Sequence, residues 1–317
     1  MTEPTPVYLD CDTGVDDAVA LAYLLASPTI DLVGVGTVSG NISAAEATRN
    51  TLDLLALAGR DDIPVAQGAH DHLDHPYGGG AQWVHGENGI GGVELPRSPR
   101  TADSRSAVEL LIDLSHTYAG RLHVLTIGPM TNLAHALEAD PTLPERVAAV
   151  TAMGGAALAP GNITAAAEAN VYNDPQAAAA LLAADWDVTL VPLDATMEHT
   201  MSEQQRERLV ADERPFVSAI GHILDHYFDF YRDTYGHRTC ALHDPLAAAI
   251  VGGITPSRAP RVPVTVDVTD GPGRGQTIAD LRGQRIAARD HDGVRTRIVL
   301  DVDAGVADHL IETILAG

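Results

Sequence analysis

Basic residues are scarce in this sequence: 20 Lys and Arg stand against 43 Asp and Glu, for a formal net charge of −23. A surface of that sign repels polyanions, so neither nucleic acid nor an anionic membrane is expected as a partner. Polyphosphate substrates are disfavoured less strictly, because a bound metal inverts the local charge. Cysteine is nearly absent. Cys11 and Cys240 form no CxxC pattern, which argues against a disulfide framework and against a zinc site. No apolar run approaches the ~18 residues of a membrane span. The opening Met-Thr-Glu-Pro-Thr-Pro has neither the basic nor the apolar part of a signal peptide. A soluble, cytoplasmic protein is expected. Aromatics make up only 4% of the residues, so where they cluster is informative.

What is present is apolar and acidic. Of 317 residues, 45% are apolar, and the mean hydropathy is +0.01. A sizeable core is therefore possible and disorder is not expected. The length suits one large α/β domain or two small ones.

Apolar segments alternate between two periods. Residues 7–10 and 31–38 read as strands, the second almost continuously apolar, as parallel strands are. Residues 16–26 place Ala18, Leu21, Ala22 and Leu25 on one face and predict a helix. Residues 44–58 predict a second helix, stopped by Gly59, and 63–66 a third strand. Residues 67–100 interrupt this rhythm with Gly, His and Pro, including Gly78-Gly79-Gly80 and His85-Gly86-Glu87-Asn88-Gly89. A loop of that length inside a domain is functional or mobile. Beyond it, 104–118 predict a helix and 122–127 a strand. A helix from Gly128-Pro129 to 138 would carry its Pro in the first turn. Strands at 147–153 and 188–193 flank a helix at 174–184, which Asp174-Pro175 would open. Two or three helices follow, among them 217–235, which holds Tyr227, Phe228, Phe230, Tyr231 and Tyr235. His243-Asp244-Pro245 opens another helix. Short strands near 262–268 and 297–302 and a helix from Gly305 end the chain. No repeat or linker interrupts it. The expected fold class is α/β: a single domain over residues 1–317, open, with a mostly parallel central sheet flanked by helices.

The polar residues fall where such a fold would gather them. Asp10, Asp12, Asp16 and Asp17 place four carboxylates within eight residues at the end of the first strand. Like charges so close repel and are costly to desolvate, and a bound cation would resolve the conflict. Sites in open α/β sheets form at the carboxyl ends of the strands. Those ends here carry Ser39-Gly40-Asn41, Ile127-Gly128, Met153-Gly154-Gly155 followed by Asn162, Glu168 and Asn170, and Asp194. Each residue also has a plainer reading. Asp16 and Asp17 suit any helix N-terminus, Asp244 suits an N-cap, and Asn41 suits a turn.

The run Asp10-Cys11-Asp12-Thr13-Gly14-Val15-Asp16-Asp17-Ala18 resembles the N-terminal fingerprint of the inosine-uridine-preferring nucleoside hydrolase family. Matching motifs follow in order: Gly40-Asn41, His85-Gly86-Glu87-Asn88-Gly89, Gly128-Pro129-Met130-Thr131-Asn132-Leu133-Ala134, Met153-Gly154-Gly155, Gly161-Asn162 with Glu168 and Asn170, Asn173-Asp174-Pro175, and His243-Asp244-Pro245. The resemblance runs from about residue 6 to the C-terminus. Thr13 departs from it, standing where the family usually has Pro, as does Ala169, where an aromatic is common.

That resemblance implies a nucleoside hydrolase-like fold and Ca²⁺-dependent hydrolysis of the N-glycosidic bond of a ribonucleoside to free base and ribose. Asp12, Asp17, Asp244 and the backbone carbonyl of Ile127 would hold the Ca²⁺, and oxygen donors suit such a hard cation. Asp12 would also be the general base on the attacking water. Asp16, Asn170 and Asp244 would meet the 2′- and 3′-hydroxyls, Asn162 and Glu168 the 5′-hydroxyl, with Asn41 aiding the grip and Met153 packed under the sugar. A site built around hydroxyls discriminates against deoxyribose. His243 is the candidate acid for the leaving base. Tyr227 and Tyr231, four apart on one helix face, and His85 would contact the base. Trp83 could stack on it or simply face solvent. The His and Tyr pair suggests an inosine-uridine or pyrimidine branch. The family also implies homo-oligomers, dimers or tetramers. Asp10 is left either orienting a ligand or water from behind or serving as a structural acceptor.

Two other functions remain open. Asp10-Cys11-Asp12-Thr13-Gly14 partly resembles the Asp-x-Asp nucleophile of Mg²⁺-dependent phosphohydrolases, but it lacks the following Thr, no clear Lys partner exists, and phosphate-binding residues are few. A nucleoside-binding protein without turnover would not need the full carboxylate set.

Overall fold

The opening apolar run is strand β1 (Thr5–Cys11) of the computed structural model, which describes residues 3–284 and 286–317. A short turn leads to α1 (Val15–Ala26), then β2 (Ile30–Thr37), α2 (Ala44–Leu57) and β3 (Val65–Gln67). The glycine-rich segment contributes one helical turn, α3 (Gln82–His85). The alternation resumes with α4 (Ala107–Thr117), β4 (Leu122–Thr126), α5 (Thr131–Ala139), β5 (Val147–Met153), α6 (Ala169–Asn173), α7 (Pro175–Ala183) and β6 (Val188–Val191). Next come α8 (Leu193–Thr196), β7 (Thr200–Ser202), α9 (Glu203–Val210), the long α10 (Pro215–Tyr235), β8 (Thr239–Ala241) and α11 (Asp244–Val251). Strands β9 (Val264–Val266), β10 (Thr277–Ala279) and β11 (Thr296–Ile298) and helix α12 (Val306–Ala316) complete the chain.

The central sheet has seven strands in the order β11-β6-β5-β4-β1-β2-β3. Every neighbouring pair in it is parallel. From β1 the chain builds outward through β2 to β3, then returns to the other side of β1 to lay down β4. The connections after β1 and β4 therefore leave in opposite directions. Such a switch point opens a crevice beyond the strand ends, where ligands bind in open sheets. The aspartate turn after β1 and Ile127-Gly128 after β4 flank it.

Period-2 alternation along β1 divides its side chains between two cores. Val7, Leu9 and Cys11 join the core that also contains residues of α1, α10, α11 and α12. Tyr8 joins the core beneath α4, α5 and α7. Asp10 shares the side of Tyr8, so its carboxylate enters this second layer rather than the crevice.

Local chemistry sets several boundaries. Ser43 and Glu46 cap each other's backbone N–H groups at the start of α2, and Ser106 and Glu109 do the same for α4. Such reciprocal caps fix a helix start, and α4 accordingly begins at Ala107, later than the expected 104. The helix expected from Gly128-Pro129 begins only at Thr131. Gly128 packs closely against Asp12, where an added Cβ would lie 3.1 Å from the Asp12 backbone nitrogen. The tail strands separate: β11 extends the edge of the central sheet, whereas β9 pairs with β10 in an antiparallel hairpin. Strand β9 falls within the expected 262–268, but its partner β10 and the β7–β8 pair escaped the sequence pattern, because strands of three residues are too short to show a period.

Candidate functional site

Asp12, Asp16 and Asp17 are fixed by the turn between β1 and α1. Asp17 folds back on that turn, its Oδ2 accepting the Gly14 N–H at 2.7 Å and its Oδ1 the Asp12 N–H at 3.2 Å. The turn passes through Thr13 at φ 26°. A β-branched residue in that region is strained, and the ring of proline, locked near φ ~ −65°, does not fit it. The hydroxyl of Thr13 lies 2.7 Å from that of Thr51 on α2. The Pro-to-Thr departure thus ties the turn to a helix by a hydrogen bond.

Asp16, Asp17 and Asp244 bring one carboxylate oxygen each within 4.8 Å of one another, and all three are buried. Asp244 reaches this place as the first residue of α11, with His243 in the capping position; it is not the cap itself. Asp16 Oδ2 accepts the Tyr227 hydroxyl at 3.0 Å, while its Oδ1 is buried with no hydrogen-bond partner among the described residues, His85 Nδ1 lying 3.9 Å away. Three converging carboxylates with an unpartnered oxygen form an all-oxygen donor set that suits a hard divalent cation. Asp12 lies beside this trio. Its Oδ2 accepts the Asn41 backbone N–H at 2.6 Å and its Oδ1 the Asn41 side-chain amide at 3.3 Å. The same amide donates to Asp17 Oδ2 at 3.3 Å. Asn41, read as a ribose contact, thus bridges two carboxylates. The Ile127 carbonyl, read as a cation ligand, accepts the Asn170 amide at 2.8 Å.

Above the carboxylates lies a cavity of about 330 Å³, at the small end of the ~300–1,000 Å³ range of small-molecule sites. Asp16, Asn41, His85, Ile127, Met153, Asn162, Glu168, Asn170, Tyr227, Tyr231, His243 and Asp244 all border it. Asp12 and Asp17 do not; they form the layer beneath. The sugar-side residues already have backbone work. Glu168 caps α6, accepting the N–H groups of Asn170 and Val171 at 2.8 and 3.1 Å and that of Gly155 at 2.8 Å. Asn162 Oδ1 accepts the Ala169 N–H at 3.0 Å. Asn170 also reaches the Met153 carbonyl at 3.2 Å.

On the opposite wall, the Tyr231 hydroxyl lies 2.6 Å from His243 Nε2, and Thr196 Oγ1 lies 2.7 Å from Nδ1. Burial pulls His243 down to about 4, so the ring is neutral near pH 7 and linked at both nitrogens. Tyr227 packs edge-on against Tyr231, with ring centres 4.9 Å apart. Sequence reading missed Phe230, Met197, Ile163 and Thr234, which also line the cavity. Phe230 and Ile163 are exposed large apolar residues at its mouth, as is Trp83 at 62% exposure. Partly exposed apolar side chains on a polar cavity rim suit a flat, partly apolar ligand group. No periodicity marks such residues, since they come from three separate segments.

Asp10 stands behind the site. It is fully buried, and its Oδ1 accepts the Asn132 amide at 2.8 Å. Asn132 also donates to the Thr37 carbonyl and accepts the Ala69 N–H. Asp10 and Asn132 therefore tie the end of β1 to the end of β2 and to the turn after β3.

Burial pushes the carboxyls up: Asp10 and Asp17 to about 7 and Glu168 to about 6, with Asp12, Asp16 and Asp244 also raised. A carboxyl raised in the folded state stabilises fully below its unfolded pKa and loses that contribution as pH climbs through the folded one. Buried His85 and His243, pulled down to about 3 and about 4, act oppositely, but their contribution is complete above ~6.5. In chelator, the melting temperature therefore falls between pH ~6.5 and ~8. Calorimetry in chelator reads this directly, and a melting temperature rising over that interval contradicts it. A divalent cation that binds this carboxylate group should offset the fall, because deprotonation frees its ligands.

The family described as inosine-uridine preferring nucleoside hydrolase matches residues 7–307 of the chain. The inosine-uridine preferring nucleoside hydrolase of Leishmania major is 35% identical over 307 residues, covering 95% of this chain and 94% of that protein. Uridine nucleosidase 1 of Arabidopsis thaliana is 35% identical over 243 residues, 77% of this chain and 72% of that protein. Among solved structures, a purine-preferring ribonucleoside hydrolase from Gardnerella vaginalis superposes with a TM-score of 0.88 at 33% identity, over 98% of each chain.

Proposed function

The chain belongs to the inosine-uridine preferring nucleoside hydrolase family, and from that membership we propose that it hydrolyses the N-glycosidic bond of ribonucleosides of the inosine/uridine or pyrimidine type, with Ca²⁺ bound, to free base and ribose. One observation carries the reading: the buried Asp16, Asp17 and Asp244 group lies at the cavity that Asn162, Glu168 and Asn170 border on one side and Tyr227, Tyr231 and His243 on the other. Asp12, Asp17, Asp244 and the Ile127 carbonyl are the proposed ligands, and Asp16 stands close enough to share that work. When bound, calcium orients the attacking water and makes it more acidic.

Asp12 takes the proton from the water as its oxygen bonds to C1′. Asp16, Asn170 and Asp244 hold the 2′- and 3′-hydroxyls, and Asn162 and Glu168 meet the 5′-hydroxyl. Nearby carboxylates favour the oxocarbenium-like charge that develops as the C1′–N bond breaks. The departing base takes its proton from the Tyr231–His243 pair, which Thr196 holds in place; solvent entering the opened cavity restores that proton as Asp12 gives up the one it took. A neutral His243 passes a proton within this pair rather than storing a positive charge. The proposed working state is a cytoplasmic homo-oligomer, dimer or tetramer, acting in nucleoside salvage. Among the described residues, no helix is long and apolar enough to cross a membrane.

A phosphohydrolase is disfavoured by the chain's lack of any lysine and, among the described residues, by the lack of arginine lining the cavity. A panel of ribo- and deoxyribonucleosides, with base release followed by chromatography with and without chelator, tests the proposal. The expected result is calcium-dependent release from ribonucleosides, with deoxyribonucleosides slower by about 10²-fold or more. Inactivity on every ribonucleoside with calcium present would sink it.

A further inference from the structure

Helix α1 is preceded by Gly14 in the capping position, which has no side chain to cap it. The Val15 N–H is instead taken by Nδ1 of His85, 3.1 Å away and 70 positions along the chain. The fit depends on the glycine: a Cβ at Gly14 would lie 2.5 Å from that nitrogen and 2.7 Å from the Asn41 side-chain amide. Imidazole and amide close over the turn that holds Asp16 and Asp17. An Nδ1 that accepts an N–H carries no proton, so the proton of the neutral ring sits on Nε2. His85 also borders the cavity and packs 5.7 Å from the Tyr227 ring. Its segment is tied down by the Ala81 N–H to the Asn41 carbonyl at 2.9 Å and by the Asn50 amide to the Asn88 carbonyl at 2.8 Å.

We propose that His85 is a positioning residue for the cation site, its Nδ1 holding the first turn of α1 and its Nε2–H facing the leaving base. This rests on the calcium-dependent reading above. It couples two parts of the molecule. Lifting residues 81–92 away from α1 removes the cap and loosens the turn bearing Asp16 and Asp17. By reciprocity, a cation held by those aspartates keeps the segment down.

The two nitrogens are separable by substitution. His85→Asn places an amide near the Nδ1 position and retains the cap. His85→Gln carries its amide nearer the Nε2 position and loses it. Calcium affinity, measured by calorimetry without substrate, should stay within about two-fold of wild type in His85→Asn and weaken on the order of five-fold or more in His85→Gln, the scale of losing one helix cap. Turnover splits the other way. On uridine, kcat falls further in His85→Asn than in His85→Gln, and the fall in His85→Asn is smaller on a nitrophenyl riboside, whose leaving group needs no proton. Hydrogen exchange of the wild-type protein should show calcium protecting residues 81–92, a readout that needs no variant to fold. Equal calcium affinity in wild type and a folded His85→Gln, or exchange in 81–92 indifferent to calcium, overturns the positioning role. A wild type that binds no calcium overturns the calcium reading, and this inference with it.

Discussion

Asp12→Asn lowers kcat by about 10²–10⁴-fold, the usual contribution of a positioned general base, and leaves the fold intact. The substitution is nearly isosteric, and the Asn41 N–H that Asp12 accepts at 2.6 Å keeps an oxygen to donate to. What disappears is a negative charge at a fully buried position beside Asp17. A neutral amide cannot take a proton from water. Calcium binding weakens too, because one anionic donor is lost, so turnover must be measured at saturating calcium. KM should move less than kcat, since Asp12 does not border the cavity proposed to receive the sugar. Steady-state kinetics on uridine and inosine, with circular dichroism as the fold control, decide the matter. A kcat within about ten-fold of wild type removes Asp12 from the role of base.

Asp244→Asn should change stability with opposite signs in the two metal states. Its carboxyl is raised first by burial and then by Asp16, Asp17, Asp12 and Glu168. In chelator at pH 8, removing one charge relieves both desolvation and repulsion. The melting temperature should then exceed wild type by roughly 1–3 °C, the scale of one or two kcal/mol in a chain this long. In excess calcium the ranking inverts. Wild type gains the stabilisation that ligand binding gives the folded state, whereas the variant lacks a ligand and gains little. Base release should fall by at least about 10³-fold, since the same carboxylate is also assigned to the ribose hydroxyls. Thermal unfolding of both proteins with chelator and with calcium gives four numbers. A variant less stable than wild type in chelator contradicts the repulsion argument. A variant that calcium stabilises as much as wild type removes Asp244 from the cation site.

The two experiments probe residues that sequence reading singled out for different reasons. Asp12 was conspicuous because four carboxylates share one strand end. Asp244 is not conspicuous by position: Asp before Pro at a helix start is common, and only the ordered motif set drew it in. In the fold, Asp244 belongs to the tight trio and Asp12 flanks it. Asn41 and Glu168 show a second limit. Their chemical types are right for a hydroxyl, yet much of their hydrogen-bonding capacity serves the Asp12–Asp17 bridge and the cap of α6. Spacing gives no warning of that, because the partners are brought in by chain closure.

The sequence by itself determined which side chains are available and on which rim they sit. Alternating periods specify strands and helices, parallel strands share a direction, and polar residues at their carboxyl ends must then face the same way. The strand order, and so the crevice between β1 and β4, was decided by tertiary structure. So were the Tyr227–Asp16 bond across 211 positions and the His85–Val15 cap across 70. Such contacts depend on which elements pack together, which is a property of the whole core. No local period carries that information.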